Sequence, residues 1–167
     1  MDFGLTDEQE MLRKSARDFL QKELPKKLVR ELDESDAGYS PEVWRKMADL
    51  GWMGLPFPGK YGGGDGTFLD LVVLLDAMGY NVVPGPFFST VVLGGLTLLA
   101  AGNETQKKDI LPKVAAGNLK LTLALTEASA KYEAKSVKTT ASARDGGYVI
   151  NGTKLFVSDA NVSDYLL

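Results

Sequence analysis

Two spacings of apolar residues divide the chain. Up to residue 118 they recur at helical intervals, and from Leu119 onward they alternate with polar residues as in strands. The first helical stretch opens at Thr6 and Gln9, a capping box in which the hydroxyl and the amide each satisfy a free backbone N–H. Leu12, Ala16, Phe19, Leu20, Leu24 and Leu28 then share one face, and Pro25 sits inside that pattern where it should kink or interrupt the helix. The Lys and Glu residues opposite read as solvated surface. A second helix is predicted from Ser40, with Pro41 at its first position, to near Gly51. Trp44, Met47, Trp52 and Met53 form a cluster that reads as core. The stretch 67–78 is apolar nearly all round, which predicts a helix at the buried centre of a bundle. Another helix is expected over 87–101, closed by Gly102. Asn103 with Gln106 then opens a last one running towards Pro112 and Gly117.

From Leu119 the period is two. Strands are predicted over 120–127, 136–144 and 148–150, the last delivered by the turn Asp145, Gly146, Gly147. Asn151 and Gly152 tolerate positive φ and give a hairpin signal, so the chain should return as a strand over 153–158. Residues 164–167 begin one more apolar strand. An edge left in mid-strand is normally shortened, charged or covered, so this ending predicts a piece of a longer protein. Two of these strands, ending in Leu125, Thr126 and Glu127 and in Phe156, Val157 and Ser158, finish on hydroxyl residues, and the chemistry is expected at those two ends. The fold class is therefore α+β, an all-α helical bundle over 1–118 followed by the first strands of a β domain over 119–167.

Composition narrows the chemistry. The chain of 167 residues is 44% hydrophobic and 25% charged with net charge -3, which suits a globular domain and offers no basic stripe for nucleic acid. It has no Cys and no His, so thiolate nucleophiles, Ser-His-Asp relays and most zinc sites are excluded. Acid and base work falls to carboxylates, Lys, Tyr or a cofactor. The first residues include Asp2, Asp7 and Glu8 and fit no secretory or transit signal, which predicts a cytoplasmic location. The stretch between Asp76 and Glu104 carries no charge, but Asn81, Pro84, Gly85 and Pro86 break it, and it reads as buried helix with no membrane span. The loop from Pro56 to Gly66 is the most glycine-rich in the chain. It lacks both the preceding strand of a dinucleotide fingerprint and the Lys-Ser or Lys-Thr pair of a P-loop, and so reads as a constrained turn.

The succession Leu5 to Gln9, the loop containing Tyr61, Gly62 and Gly63, the segment Leu111 to Gly117, then Ala124 to Glu127, and finally Asp145 to Lys154 resembles the acyl-CoA dehydrogenase family, in the family's order and over the whole chain. The resemblance implies an N-terminal helical domain, a central antiparallel β-barrel domain of which about half is here, and a C-terminal four-helix bundle that is missing. It implies FAD-dependent α,β-dehydrogenation of an acyl-CoA thioester, electrons passed to an electron-transfer flavoprotein, and a homo- or hetero-oligomer. Leu125 and Thr126 would meet the pyrimidine end of the flavin. Phe156 would pack on the ring within a triplet continued by Val157, and the Ser158 hydroxyl would hydrogen-bond near N5. On the plainer reading, Thr126 and Ser158 are ordinary strand-end hydroxyls, Phe156 is core, and Glu127 is surface or structural.

Two departures stand out. The family's loop after the Thr-Glu pair uses Pro, Gly and Ser, where this chain has Ala128, Ser129, Ala130, Lys131, Tyr132 and Glu133, so close backbone approach to a phosphate is less easy. The family's catalytic carboxylate comes from the C-terminal bundle, and no Asp or Glu here matches it. The alternative to the enzyme reading is accordingly a non-catalytic subunit that pairs with an active homologue. A free-standing interaction module is the third possibility.

Overall fold

The computed structural model describes residues 4–131 and 133–167. Its first helix, α1 (Asp7–Glu23), starts at the expected box: the Gln9 backbone N–H donates to Thr6 Oγ1 at 3.3 Å and the Thr6 N–H donates to Gln9 Oε1 at 3.1 Å. Asp7, Glu8 and Glu10 place negative charge in the first turn, where the helix dipole favours it. Pro25 does not kink a continuous helix. It ends α1 and becomes the N-cap of α2 (Lys26–Asp33), so the apolar face turns a corner there. Helix α3 (Pro41–Asp49) is capped by Ser40, whose Oγ accepts from Val43 N–H at 3.2 Å. Helix α4 (Phe68–Tyr80) opens on a second capping box, Thr67 with Asp70. Asp70 also accepts from Gln9 Nε2 at 2.9 Å, tying the starts of α1 and α4 together.

Helices α1 and α4 pack along their length, and Ala16, Leu20, Leu71, Leu74 and Ala77 between them are fully buried. Each leucine removed from water in this way contributes about 1.5–3 kcal/mol. The Phe19 and Trp52 rings meet edge to face at 5.2 Å, and Trp44 Nε1 donates to the Gly117 carbonyl at 2.8 Å, closing α3 onto the end of the last helix. Only one side of α4 is central. Phe68, Leu69 and Val72 are exposed, so its all-round apolarity does not correspond to all-round burial.

The region 87–101 is not one regular α-helix. Phe88–Leu96 forms a π-helix that passes into α5 (Thr97–Ala101), and α6 (Glu104–Ala115) follows from a third capping box, Asn103 with Gln106. The widened turns go with a side-chain role: Thr90 Oγ1 accepts from Leu121 N–H and donates to Leu121 O, each at 3.2 Å. Gly94 faces the same strand. A Cβ there would lie 2.3 Å from the Leu121 Cβ, so only glycine permits the approach.

The β region is sparer than its pattern predicts. The strand expected over 120–127 shortens to β1 (Leu121–Thr122). The hairpin β2 (Thr140–Arg144) and β3 (Gly147–Asn151) is antiparallel and turns at Asp145 and Gly146, with φ of 49° and 80°, the positive pair a two-residue turn requires. Strand β4 (Tyr165–Leu166) pairs with β1 in parallel, where antiparallel pairing was expected. Asn151 and Gly152 make no second hairpin, and 153–158 is not a strand. Phe156 adopts φ 53°, which bends the extended chain, and Leu155 N–H donates to Thr126 O at 2.8 Å instead of continuing a ladder with β3. Among the described residues there are thus two two-stranded ladders and no closed barrel. No helix among them is long and apolar enough to cross a membrane.

Candidate functional site

The two segments singled out in the sequence lie side by side. The Leu155–Thr126 backbone hydrogen bond joins them, and Lys154 Nζ reaches across to the Leu125 carbonyl at 3.3 Å. Further along both segments, Thr122 Oγ1 donates to the Ser158 carbonyl at 2.7 Å. Asp159 accepts from Ser89 Oγ at 2.5 Å, which fastens the turn after Ser158 to the π-helix. The five candidates therefore occupy one place, although neither Thr126 nor Ser158 ends a strand.

Their exposure decides against part of the plainer reading. Phe156 is 92% exposed and is not core, and Leu125 is 46% exposed beside it in the chain fold. Thr126 and Val157 are half-buried and Ser158 is exposed. Among the described residues, the N–H groups of Leu125, Thr126, Val157 and Ser158 and the hydroxyls of Thr126 and Ser158 make no hydrogen bond. A row of free donors next to an uncovered aromatic ring suits a flat heterocycle with acceptors along its edge, which is the chemistry of a flavin. The donor set fits that group.

Beneath these donors sits a group the motif reading left as surface or structural. Glu127 is only 7% exposed and accepts four hydrogen bonds. Lys138 N–H donates to Oε2 at 2.7 Å. Thr139 N–H, Thr139 Oγ1 and Lys154 Nζ donate to Oε1 at 3.0, 2.7 and 2.9 Å. The Thr139 hydroxyl first, then the Lys138 N–H, Lys154 and the Thr139 N–H, hold its carboxyl down at a pKa of about 2. Lys138, Thr139 and Lys154 were missed by sequence reasoning. The available signal was that Glu127 follows Thr126 directly and Lys154 stands two residues before Phe156, so a charge pair flanks both candidate segments.

The loop beyond Glu127 turns at Ala130, φ 52°, whose N–H donates to the Glu127 carbonyl at 2.9 Å, and Lys131 is exposed. Tyr132, expected to replace the family's hydroxyl residue, lies outside the described residues.

Comparison with known proteins gives this geometry a family. Residues 6–118 match the family described as acyl-CoA dehydrogenase, N-terminal domain. The chain is 34% identical over 170 residues to the short-chain specific acyl-CoA dehydrogenase of Clostridium acetobutylicum, covering 98% of this chain and 43% of that protein. It is 34% identical over 161 residues to the caffeyl-CoA reductase-Etf complex subunit CarC of Acetobacterium woodii, covering 95% and 42%. Among solved structures, a chain of the ChsE4-ChsE5 complex from Mycobacterium tuberculosis superposes with a TM-score of 0.86 at 26% identity, over 100% of this chain and 44% of that one. The chain thus spans less than half the length of the proteins it matches. Its capped helices, its order of elements and its matched residues agree with one another, and the chain belongs to the acyl-CoA dehydrogenase family.

Proposed function

We propose that this chain forms the helical support and one flavin-facing edge of an FAD-dependent acyl-CoA dehydrogenase. The observation that carries the reading is the pairing of 125–127 with 154–158, which gathers free N–H and hydroxyl donors around an uncovered phenylalanine. When bound, FAD supplies the two-electron acceptor for α,β-dehydrogenation of an acyl-CoA thioester. Leu125 and Thr126 would hold the group through their backbone N–H groups and the Thr126 hydroxyl, Phe156 would pack against it and shed water, Val157 would offer its N–H, and the Ser158 hydroxyl would donate to it.

The α-proton is not taken by Glu127. A base works best with a pKa near the operating pH, and a carboxylate held near 2 by four donors is a weak one. The base is a carboxylate from outside these residues. We assign the helical domain to 1–118 and the β domain to 119–167, a division supported by the family match over 6–118. An electron-transfer flavoprotein as acceptor agrees with the Etf complex named for the Acetobacterium relative.

The test is the natural full-length protein, purified and assayed for bound flavin and for acyl-CoA oxidation with an artificial electron acceptor. Flavin uptake with turnover supports the reading, and a folded protein that takes up no flavin sinks it. Lys131, standing where the family has glycine, favours a second reading in which this protein is the non-catalytic member of a hetero-oligomer. Co-purification of a second subunit carrying the flavin would select that reading.

A further inference from the structure

Glu127 is buried, ionised and fully used, yet no step of the proposed chemistry needs it. Its partners come from three places in the chain. Lys138 and Thr139 stand just before β2, Lys154 lies in the return segment, and Glu127 itself follows Leu125 and Thr126. Lys154 is shared, because its Nζ bonds both the Glu127 carboxylate and the Leu125 carbonyl. The carboxylate therefore acts on both flavin-facing segments at once: directly on 125–126 through the chain, and on 155–158 through Lys154.

Gly152 belongs to the same device. A Cβ at that position would lie 2.3 Å from Thr139 Oγ1, 2.7 Å from its Cβ and 2.8 Å from its Cα. Its φ is not in the left-handed region, so glycine is required here for space and not for backbone freedom. The residue that looks in sequence like half of a hairpin turn instead lets Thr139 come close enough to reach Glu127.

We propose that Glu127, Lys154, Thr139 and Gly152 form a clamp that sets the spacing between the segments 125–126 and 156–158, and that Glu127 is thereby a positioning residue for flavin binding. The proposal rests on the flavin reading above. It assigns Glu127 no contact with flavin or substrate. Every donor aimed at Glu127 requires an acceptor, so an amide at this position would set its own N–H₂ against a backbone N–H and lose the attraction of Lys154.

The experiment compares wild type with Glu127→Gln, Gly152→Ala and Thr139→Val in the natural full-length protein. It measures the FAD dissociation constant, the position of the visible flavin absorption band, and thermal unfolding of the flavin-free protein. Glu127→Gln is expected to weaken FAD binding about tenfold or more and to shift the band, with Gly152→Ala next, and Thr139→Val weakening binding about twofold to threefold. Thermal unfolding of the flavin-free protein falls for Glu127→Gln, which loses the stabilisation of the ionised carboxylate, and stays close to the wild-type temperature for Thr139→Val. Wild type that binds FAD together with variants that bind it equally, with an unmoved band, overturns the clamp and leaves the flavin reading standing. Wild type that takes up no flavin overturns both. If Glu127→Gln does not fold, the milder Thr139→Val decides, since it changes no charge and adds no atom against the backbone.

Discussion

The helical region and the β hairpin are built on opposite principles. In the first, Leu20, Phe57, Leu71, Leu74 and Leu111 are sealed from water, and three capping boxes satisfy the helix starts locally. In the second, every residue of β2 and β3 is exposed, Tyr148, Val149 and Ile150 included. An isolated two-stranded hairpin is at best marginal in water. This one is anchored to the rest through a buried carboxylate and its polar partners. The first region carries its own stability, while the second borrows its position from Glu127.

Substitutions can break that contrast. Leu74→Ala should destabilise the protein by about 2–5 kcal/mol, because it opens a cavity in a packed interior, and denaturant unfolding reads it. A loss below about 1 kcal/mol would mean the helical core is looser than the burial implies. Gly94→Ala should cost about 1–3 kcal/mol through overpacking against Leu121, with amide exchange at residues 121 and 122 rising more than in α1. Asn103→Ala removes one capping box and should cost about 1 kcal/mol in the same unfolding assay. Ile150→Ala, on the exposed hairpin, should stay within about 0.5 kcal/mol.

Acid sharpens the comparison without a substitution. The Glu127 carboxyl has a folded pKa of about 2, below its ordinary value of 4.5, so between those limits the unfolded chain binds more protons than the folded one. Its stabilising contribution is therefore complete above about pH 4.5 and declines as pH falls through about 2. Hydrogen exchange at the Lys138 and Thr139 amides should lose protection over that window before the amides of α1 and α4 do. Uniform loss across both regions would show that the hairpin is not held separately.

What could be read from the sequence follows the range of the interactions. The helix starts at Thr6 and Asn103 and the break at Pro25 are local, spanning three or four residues, and local chemistry is written in order along the chain. The π-helix depends on Thr90 meeting Leu121, which no window around residue 90 contains. The period of two anticipated β2, β3 and the short β1 but also a strand over 153–158 that does not form, and it could not say which segments pair. β1 therefore took the distant β4, and Asn151 with Gly152 forms no turn because Asn151 stays in β3 opposite Thr140 and Gly152 packs on Thr139. Phe156 in the left-handed region carries no local signal at all, since bulky residues adopt it only when tertiary contacts impose it. The two segments proposed to face the flavin were singled out as strand ends and take their roles from the family resemblance, whereas the partners of the Glu127 carboxylate required the fold.

The single hydroxyl of Thr90 has a consequence for how this protein keeps company in solution. A strand offers hydrogen-bonding groups on both of its edges, and any open edge is a template for another chain. Along β1 and the residue before it, the Lys120 and Thr122 carbonyls face the segment of β4 and accept from the Tyr165 and Leu167 N–H groups. Leu121 turns its N–H and C=O the other way, and Thr90 occupies both. At Leu121 the strand is thus closed on both sides by groups already in place, and a partner seeking to add a strand at that residue finds its N–H and C=O taken.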